Sequence, residues 1–426
     1  MNRILAGLMT CVAALLVGAC GGGGYSLGSS AAAPTDVVVA AGDSSATVSW
    51  TMAPGVDYWI FLAPTDSINT SNWTSFLGAR SVIRATSPQL VTQLSNGTTY
   101  AFTVNARVGN GPGGPGTPSQ AIIPRIAGGV WVPATPLGTA DLLGAAFGVI
   151  GTTTISPVSS FLAVGKGGAI YTSADGKSFA PQQSTVSADL RCAVFGGTYL
   201  AAGANGTVVS SADAITWAAK TSGTSAALNG LTTNGAGTYV AVGAGGAIVT
   251  SGDSGATWTL ANSGTTKDLY AVTYGLSGSA NAFVAVGSGG TMVASIDGVT
   301  WTPAASASTS ADLRGITYAS VLTLVSGAVT SAPVWVAVGS GGVILTSADA
   351  VTWSAPASGT GASLNAITYN TRFVAVGNGG TVLTSDDAGV SWQAQNSRSS
   401  ANLAAITHNP YGYLAVGAAG ANLTAF

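Results

Sequence analysis

One short phrase constrains this chain more than anything else in it. An aromatic residue, then Leu or Val, then Ala-Val-Gly recurs at 161–165, 199–203, 239–243, 283–287, 335–339, 373–377 and 413–417, the second copy ending Ala-Ala-Gly. Successive closing glycines lie 38, 40, 44, 52, 38 and 40 residues apart, a period that signals a repeat array. Each copy turns tightly through Gly into an apolar strand such as Val343-Ile344-Leu345-Thr346-Ser347. A Trp-bearing strand follows at Trp217, Trp258, Trp301, Trp353 and Trp392, with Phe179 in that place in the first copy. A strand of the form Leu-x-Ala-Ile-Thr-Tyr, as at Leu364 to Tyr369, completes the unit. Four short strands per ~40 residues is the pattern of a β-propeller blade.

The last copy ends at Leu423-Thr424-Ala425-Phe426 without its Trp strand, while Val130-Trp131-Val132 stands unclaimed ahead of the first inner strand near Leu142. Pairing that segment onto the last copy closes a seven-bladed ring and hides edges that would otherwise template aggregation. The expected fold is all-β: a small sandwich, then a seven-bladed propeller closed by an N-terminal strand. Glycine turns such as Gly165-Lys166-Gly167-Gly168 read as hairpin turns. They are not phosphate loops, since no Gly-Lys-Ser/Thr leads into a helix.

Composition narrows the chemistry. The 426 residues include 60 Gly, 13 Lys plus Arg and 15 acids, for a net charge of −2. Every acid is Asp, there is no Glu, and His408 is the only histidine. So few bases argue against a nucleic-acid surface. A Glu base, a His pair or a His-rich metal site is excluded outright, and no metal or cofactor is expected. His408, beside Asn409-Pro410 with no titrating partner in view, receives no role. A hydrophobic fraction of 47% suffices for a large core.

The turn between the third and fourth strand of each blade carries a recurring aspartate. Ser251-Gly-Asp253-Ser-Gly255-Ala-Thr257-Trp258 and Ser385-Asp-Asp387-Ala-Gly389-Val-Ser391-Trp392 are full copies, and shorter ones sit at Asp175, Asp213, Asp297 and Asp349. These turns resemble the Asp-box of sialidase-like (BNR) propellers, over about 300 residues of chain. Such carboxylates hold their own turns by accepting local N–H groups, so the six are read as structural. The propeller also resembles that of the photosystem II assembly and stability factor family, which implies a binding scaffold without an active site. A sialidase set of arginines, Tyr/Glu pair and Asp cannot be assembled without Glu.

Residues 34–126 show period-2 strands separated by turns. Val37 to Ala40, Ala46 to Trp50, Tyr58 to Leu62 and Thr99 to Ala106 are the clearest. With Pro34, Trp50, Leu94-Ser95-Asn96-Gly97-Thr98-Thr99-Tyr100 and the Gly109-Asn110-Gly111-Pro112-Gly113 hairpin, the segment resembles a fibronectin type III domain. That resemblance implies a corner hydrogen bond from Tyr100 and a spacer or adhesion role.

Met1-Asn2-Arg3 followed by the apolar run to Ala19 reads as a secretory signal, residues 1–19. Leu16-Val17-Gly18-Ala19-Cys20 resembles a bacterial lipobox, which implies lipidation of Cys20 and anchoring at the outer membrane of the envelope, periplasmic or surface-exposed. Residues 20–33 are then the lipidated Cys20 and a flexible tether. Cys192 is the remaining thiol of the mature chain, so no internal disulfide is possible. Its apolar strand makes it a small buried hydrophobe.

Asp141, Asp189, Asp268 and Asp312 each precede the Leu that opens an inner strand, and this repetition favours capping over catalysis. Together with the glycine turns they mark one face of the propeller, around its channel. That face is expected to carry Lys166, Asp189, Arg191, Asp268, Tyr270, Asp312, Arg314 and Asn378, with Asn205, Asn229 and Asn365 beside them. Two longer inserts, 275–282 and 319–333, are expected as loops on the opposite face. The expectation is a non-enzymatic envelope lipoprotein, monomeric, whose propeller binds a protein or polysaccharide partner. The alternative is a carbohydrate-active enzyme or glycan-binding module, which needs two Asp carboxyls roughly 5–10 Å apart.

Overall fold

A computed structural model describes residues 28–150, 158–277, 280–304, 309–325 and 328–426. The expected signal segment, Cys20 and the first part of the tether lie outside the described residues. Two compact units emerge among the described residues, the first made of those up to Val37 with Trp50–Ser87 and Ala101–Gln120, the second of Val38–Ser49, Pro88–Tyr100 and those from Ala121 to Phe426.

The first unit is built on a sheet ordered Ser29–Ala31, Tyr100–Val108, Asp57–Ala63, Arg80–Ala85. Ser29, Ser30 and Ala31 pair with Val108, Arg107 and Ala106, so the end of the expected tether is in fact a strand. Their small side chains carry no strand signal. The pairing comes instead from backbone groups meeting an otherwise open edge. Tyr58, Ile60 and Leu62 on one face of the neighbouring strand are buried, and so are Phe61 and Ala63 on the other, where they pack with Ile68 and Ala101.

The second unit opens with the sheet Val38–Gly42, Ser45–Ser49 and Gln89–Val91. The Tyr100 hydroxyl accepts the Ser95 N–H at 3.2 Å, which is the expected corner bond. Seven antiparallel sheets follow, opened by inner strands Leu142–Ile150, Leu190–Phe195, Leu228–Thr233, Leu269–Ser277, Leu313–Val325, Leu364–Tyr369 and Leu403–Asn409. We number them blades one to seven. In blade seven, Val132 and Pro133 pair with Thr424 and Leu423. The N-terminal segment therefore supplies that blade's outer strand.

The core lies between blades. Second strands such as Tyr199–Gly203 and Phe373–Gly377 are buried at all five positions, because each face meets a neighbouring sheet. Leu162 and Val164 of blade one pack with Tyr199 and Ala201 of blade two. The aromatic head of the repeat sits at this seam. Where it has a polar tip, it donates to a backbone carbonyl of the preceding blade: Tyr199 to Ser160 at 2.9 Å, Tyr239 to Gly196 at 2.8 Å, Trp335 to Leu276 at 2.9 Å and Tyr413 to Arg372 at 3.0 Å. Phe takes the position in blades one, four and six, where no donor is available. The closing glycine is required by close approach: a Cβ on Gly203 would lie 1.9 Å from the Asp189 carbonyl oxygen.

Three expectations are corrected. The Trp residues sit one position before their outer strands, which begin at Ala218, Thr259, Thr302 and Gln393. From there each indole N–H donates back three residues into the turn, as Trp217 does to Ala214 at 3.2 Å and Trp131 to Gly128 at 2.9 Å. Blade five has no fourth strand beyond one bridge, Thr346 to Ser354. The two inserts are not loops. They lengthen the first hairpins of blades four and five, to strands Leu269–Ser277 with Ala280–Gly287, and Leu313–Val325 with Ala328–Gly339.

Candidate functional site at the channel mouth

Each inner strand opens with a buried Leu, and the residue after it is aimed at the channel. Leu143, Arg191, Asn229, Tyr270, Arg314 and Asn365 occupy that position in six blades and line one cavity of about 470 Å³. Lys166 and Asp189 complete its wall. An adjoining cavity of about 160 Å³ is lined by the same six residues and by small ones such as Gly144, Ala193, Gly230, Ala366 and Ala404. Ala404 is the seventh member of the series, and its methyl leaves that side of the mouth open.

Two side-chain relays repeat across this mouth. Arg191 donates through Nη1 to Asn229 Oδ1 at 2.9 Å, and Asn229 Nδ2 donates to the Leu269 carbonyl at 3.0 Å. Arg314 donates through Nη1 to Asn365 Oδ1 at 3.4 Å, and Asn365 Nδ2 donates to the Leu403 carbonyl at 2.8 Å. Each relay runs over three consecutive blades, two to four and five to seven. Asn365 Nδ2 also donates to Asn378 Oδ1 at 2.9 Å, which places Asn378 behind the cavity wall.

The aspartates before the inner strands act between blades. Asp189 Oδ1 accepts the Gly167 N–H at 2.9 Å, Asp268 Oδ1 that of Gly245 at 2.7 Å, and Asp312 Oδ1 that of Gly289 at 3.0 Å. Asn402 does the same to Gly379 at 2.9 Å, and Asp141 to Ala419 at 2.9 Å. In every case the donor is the middle residue of the preceding blade's glycine turn. Asp268 and Asp312 are thus rim fasteners and do not line the cavity. Asn205 lies in such a turn, on a separate groove. Lys166 Nζ pairs with Asp141 Oδ2 at 2.7 Å. The Lys166 contact, with the Ala419 N–H, holds the Asp141 carboxyl below the usual range. Burial raises the Tyr270 phenol pKa, with the Asp312 and Asp268 charges adding to the effect.

The turn aspartates spend their oxygens locally. Asp213 Oδ1 accepts from Thr216 N at 2.7 Å, Ile215 N at 2.9 Å and the Ser211 hydroxyl at 2.9 Å. Those bonds, the Thr216 and Ile215 N–H foremost, bring its carboxyl down to about 2. Asp253, led by the Thr257 hydroxyl, and Asp297, led by the Thr300 N–H, also fall to about 2. Asp349 is lowered by the Thr352 N–H first. At Asp387, burial raises the pKa and the Ser391 hydrogen bonds outweigh it. Asp175 accepts from Ser178 N and Lys177 N, each at 2.8 Å. Among the described residues, no three His, Cys or acidic side chains gather as a metal site, and no helix is long and apolar enough to cross a membrane.

Cys192 is buried, with its thiol pushed up to about 12 by that burial. Sequence reasoning missed Leu143 as a wall residue and Asn402 as a fastener. The signal was present for both: each holds a fixed place relative to its inner-strand Leu.

The class is an all-β chain with a small N-terminal fibronectin domain and a closed propeller. Residues 32–122 match the family described as Fibronectin type III domain. Among solved structures, the chain is similar to YCF48 from Cyanidioschyzon merolae, at 18% identity and TM-score 0.51 over 69% of this chain and 98% of that one. It is also similar to YCF48 bound to D1 peptide, at 17% identity and TM-score 0.53 over 69% of this chain and 94% of that one. At this identity the likeness is one of fold. No curated protein matches the chain.

Proposed function

We propose that this chain is a non-enzymatic binding scaffold of the bacterial cell envelope, tethered through a lipid on Cys20, whose propeller receives a protein partner at the channel mouth. The observation that carries the reading is the pair of arginines there. Arg191 and Arg314 face a cavity of about 470 Å³, and among the described residues neither joins an ion pair. The rim carboxylates of Asp189, Asp268 and Asp312 each accept a neighbouring blade's N–H through Oδ1, the repeated structural role expected of a strand-entry cap. A propeller of the same fold, YCF48, is described with a peptide bound, which favours protein over glycan.

The test is crosslinking in the native envelope, with Arg191→Ala/Arg314→Ala as control. A stoichiometric protein lost in the variant supports the reading. A protein partner retained in the variant moves the site to the long hairpins of blades four and five, and no protein partner at all favours a polysaccharide. Anchoring is tested separately: Cys20→Ser should release the protein from the membrane fraction, and unchanged fractionation refutes the lipid tether.

A further inference from the structure

We infer that the channel mouth is a two-point receptor for an extended acidic peptide segment, one carboxylate on Arg191 and a second on Arg314. This rests on the binding-scaffold reading and names the ligand chemistry.

The wall of the cavity carries Lys166, Arg191 and Arg314 against the single carboxylate of Asp189, in a chain whose net charge is −2. The Asp141, Asp268 and Asp312 carboxylates stand at the rim, each holding a neighbouring blade's backbone N–H. Lys166 is already paired with Asp141, which leaves the two guanidinium groups as the available cations. Each is held by one Nη1 bond to an asparagine that is itself anchored to a backbone carbonyl of the next blade. An arginine fixed at one nitrogen keeps its remaining donors for a forked bond to a carboxylate. The neutral asparagine acceptor orients the side chain without cancelling its charge. An Asp in that place would have consumed it.

The two relays belong to blades two to four and five to seven, so the arginines stand three blades apart around the ring. Taken as a sphere, a cavity of about 470 Å³ is roughly 10 Å across, the scale of a small pocket. In an extended chain, side chains at i and i+2 leave the same face about 7 Å apart. Two acidic residues with one residue between them can therefore reach both arginines at once. Tyr270, in blade four, lies between them in ring order and offers a partly covered aromatic surface to the intervening backbone.

The probe is an N-acetylated, amidated Gly-Glu-Ser-Glu-Gly peptide titrated calorimetrically into the full chain at low salt. The Gln-Ser-Gln analogue and polygalacturonate are run in parallel. Binding is expected to weaken about 10-fold in Arg191→Ala and in Arg314→Ala singly, and to vanish in the double variant, as for lost charge-assisted bonds. Asn229→Asp keeps the shape and both arginines but gives Arg191 a carboxylate. It should weaken the peptide as much as Arg191→Ala does, whereas Asn229→Ala, which also gives up the Leu269 bond but adds no charge, should weaken it less; equal losses would overturn the role given to the neutral asparagine. Equal binding of the Gln analogue overturns the inference. No peptide binding, alongside a native partner still lost in the Arg191→Ala/Arg314→Ala envelope, overturns this ligand class and leaves the scaffold reading standing. Binding of polygalacturonate alone overturns both.

Discussion

Asp141 Oδ1 accepts the backbone N–H of Ala419 at 2.9 Å although 278 residues separate them. The bond joins blade one to blade seven on the channel face, while Val132 and Pro133 join the same two ends of the ring through the outer strand. The ring is thus closed twice, once by a shared sheet and once by a rim fastener.

Removing the rim fastener should cost little but measurably. Asp141→Ala loses the Ala419 bond and the Lys166 pair together, with an expected loss of about 1 kcal/mol. Asp141→Asn keeps an acceptor for Ala419 and should lose less, because exposed ion pairs contribute little. Urea unfolding of both variants checks this. Equal losses would mean that the backbone bond contributes nothing.

Removing the sheet closure should be far more costly. Trp131 is fully buried, donates to Gly128 and lies 6.4 Å from the Tyr413 ring. Trp131→Ala is expected to destabilise by about 3–5 kcal/mol, as large-to-small changes in a close-packed core do. Trp353→Ala, at the less buried turn of blade five, should cost distinctly less in the same assay.

Acid should weaken the protein in two stages. Burial lowers His408 from 6.5 to about 4, with Nδ1 placed 2.9 Å from the Thr368 hydroxyl. The unfolded chain takes up a proton near pH 6.5 that the native His408 refuses until about 4, so stability falls as pH drops through that window. His408→Gln should flatten the dependence there, measured as urea midpoints at pH 7 and 4.5. The carboxyls of Asp213 and Asp297 stand near 2 against 3.8, and their contribution is lost only below that upper value.

The thiol should be silent in the native state. With Cys192 buried and its pKa near 12, a disulfide-exchange reagent should modify it only on unfolding, since the thiolate is the reactive form. Rapid labelling of the folded protein at pH 8 would contradict this.

Much of the architecture was legible because it rests on local pattern. The Ala-Val-Gly period fixed the blades, and Trp131, bonded to Gly128 as Trp217 is to Ala214, shows why an orphan segment could be assigned to the last blade. The relationships that make the site were not legible. Asp189 looked like a local cap, yet its donor, Gly167, lies 22 residues earlier in another blade. Arg191 and Asn229 are 38 residues apart, and only the register between blades brings them together. The inserts read as loops because they stretch the spacing between copies to 44 and 52 residues. In the structure they extend the antiparallel pairing instead, as from Leu313 to Val325 against Ala328 to Gly339.

The shared blade also sets an order of events. Val132 leaves the ribosome long before Thr424, its partner in the sheet, and at ~5–20 residues per second the delay is on the order of 15–60 seconds. Through that interval Trp131 has no Tyr413 to cover it, and six nascent blades present two open ends. A truncation upstream of Asn422 removes the partners of Val132 and Pro133 and is expected to leave an open-ended, aggregation-prone product in place of a slightly weaker ring.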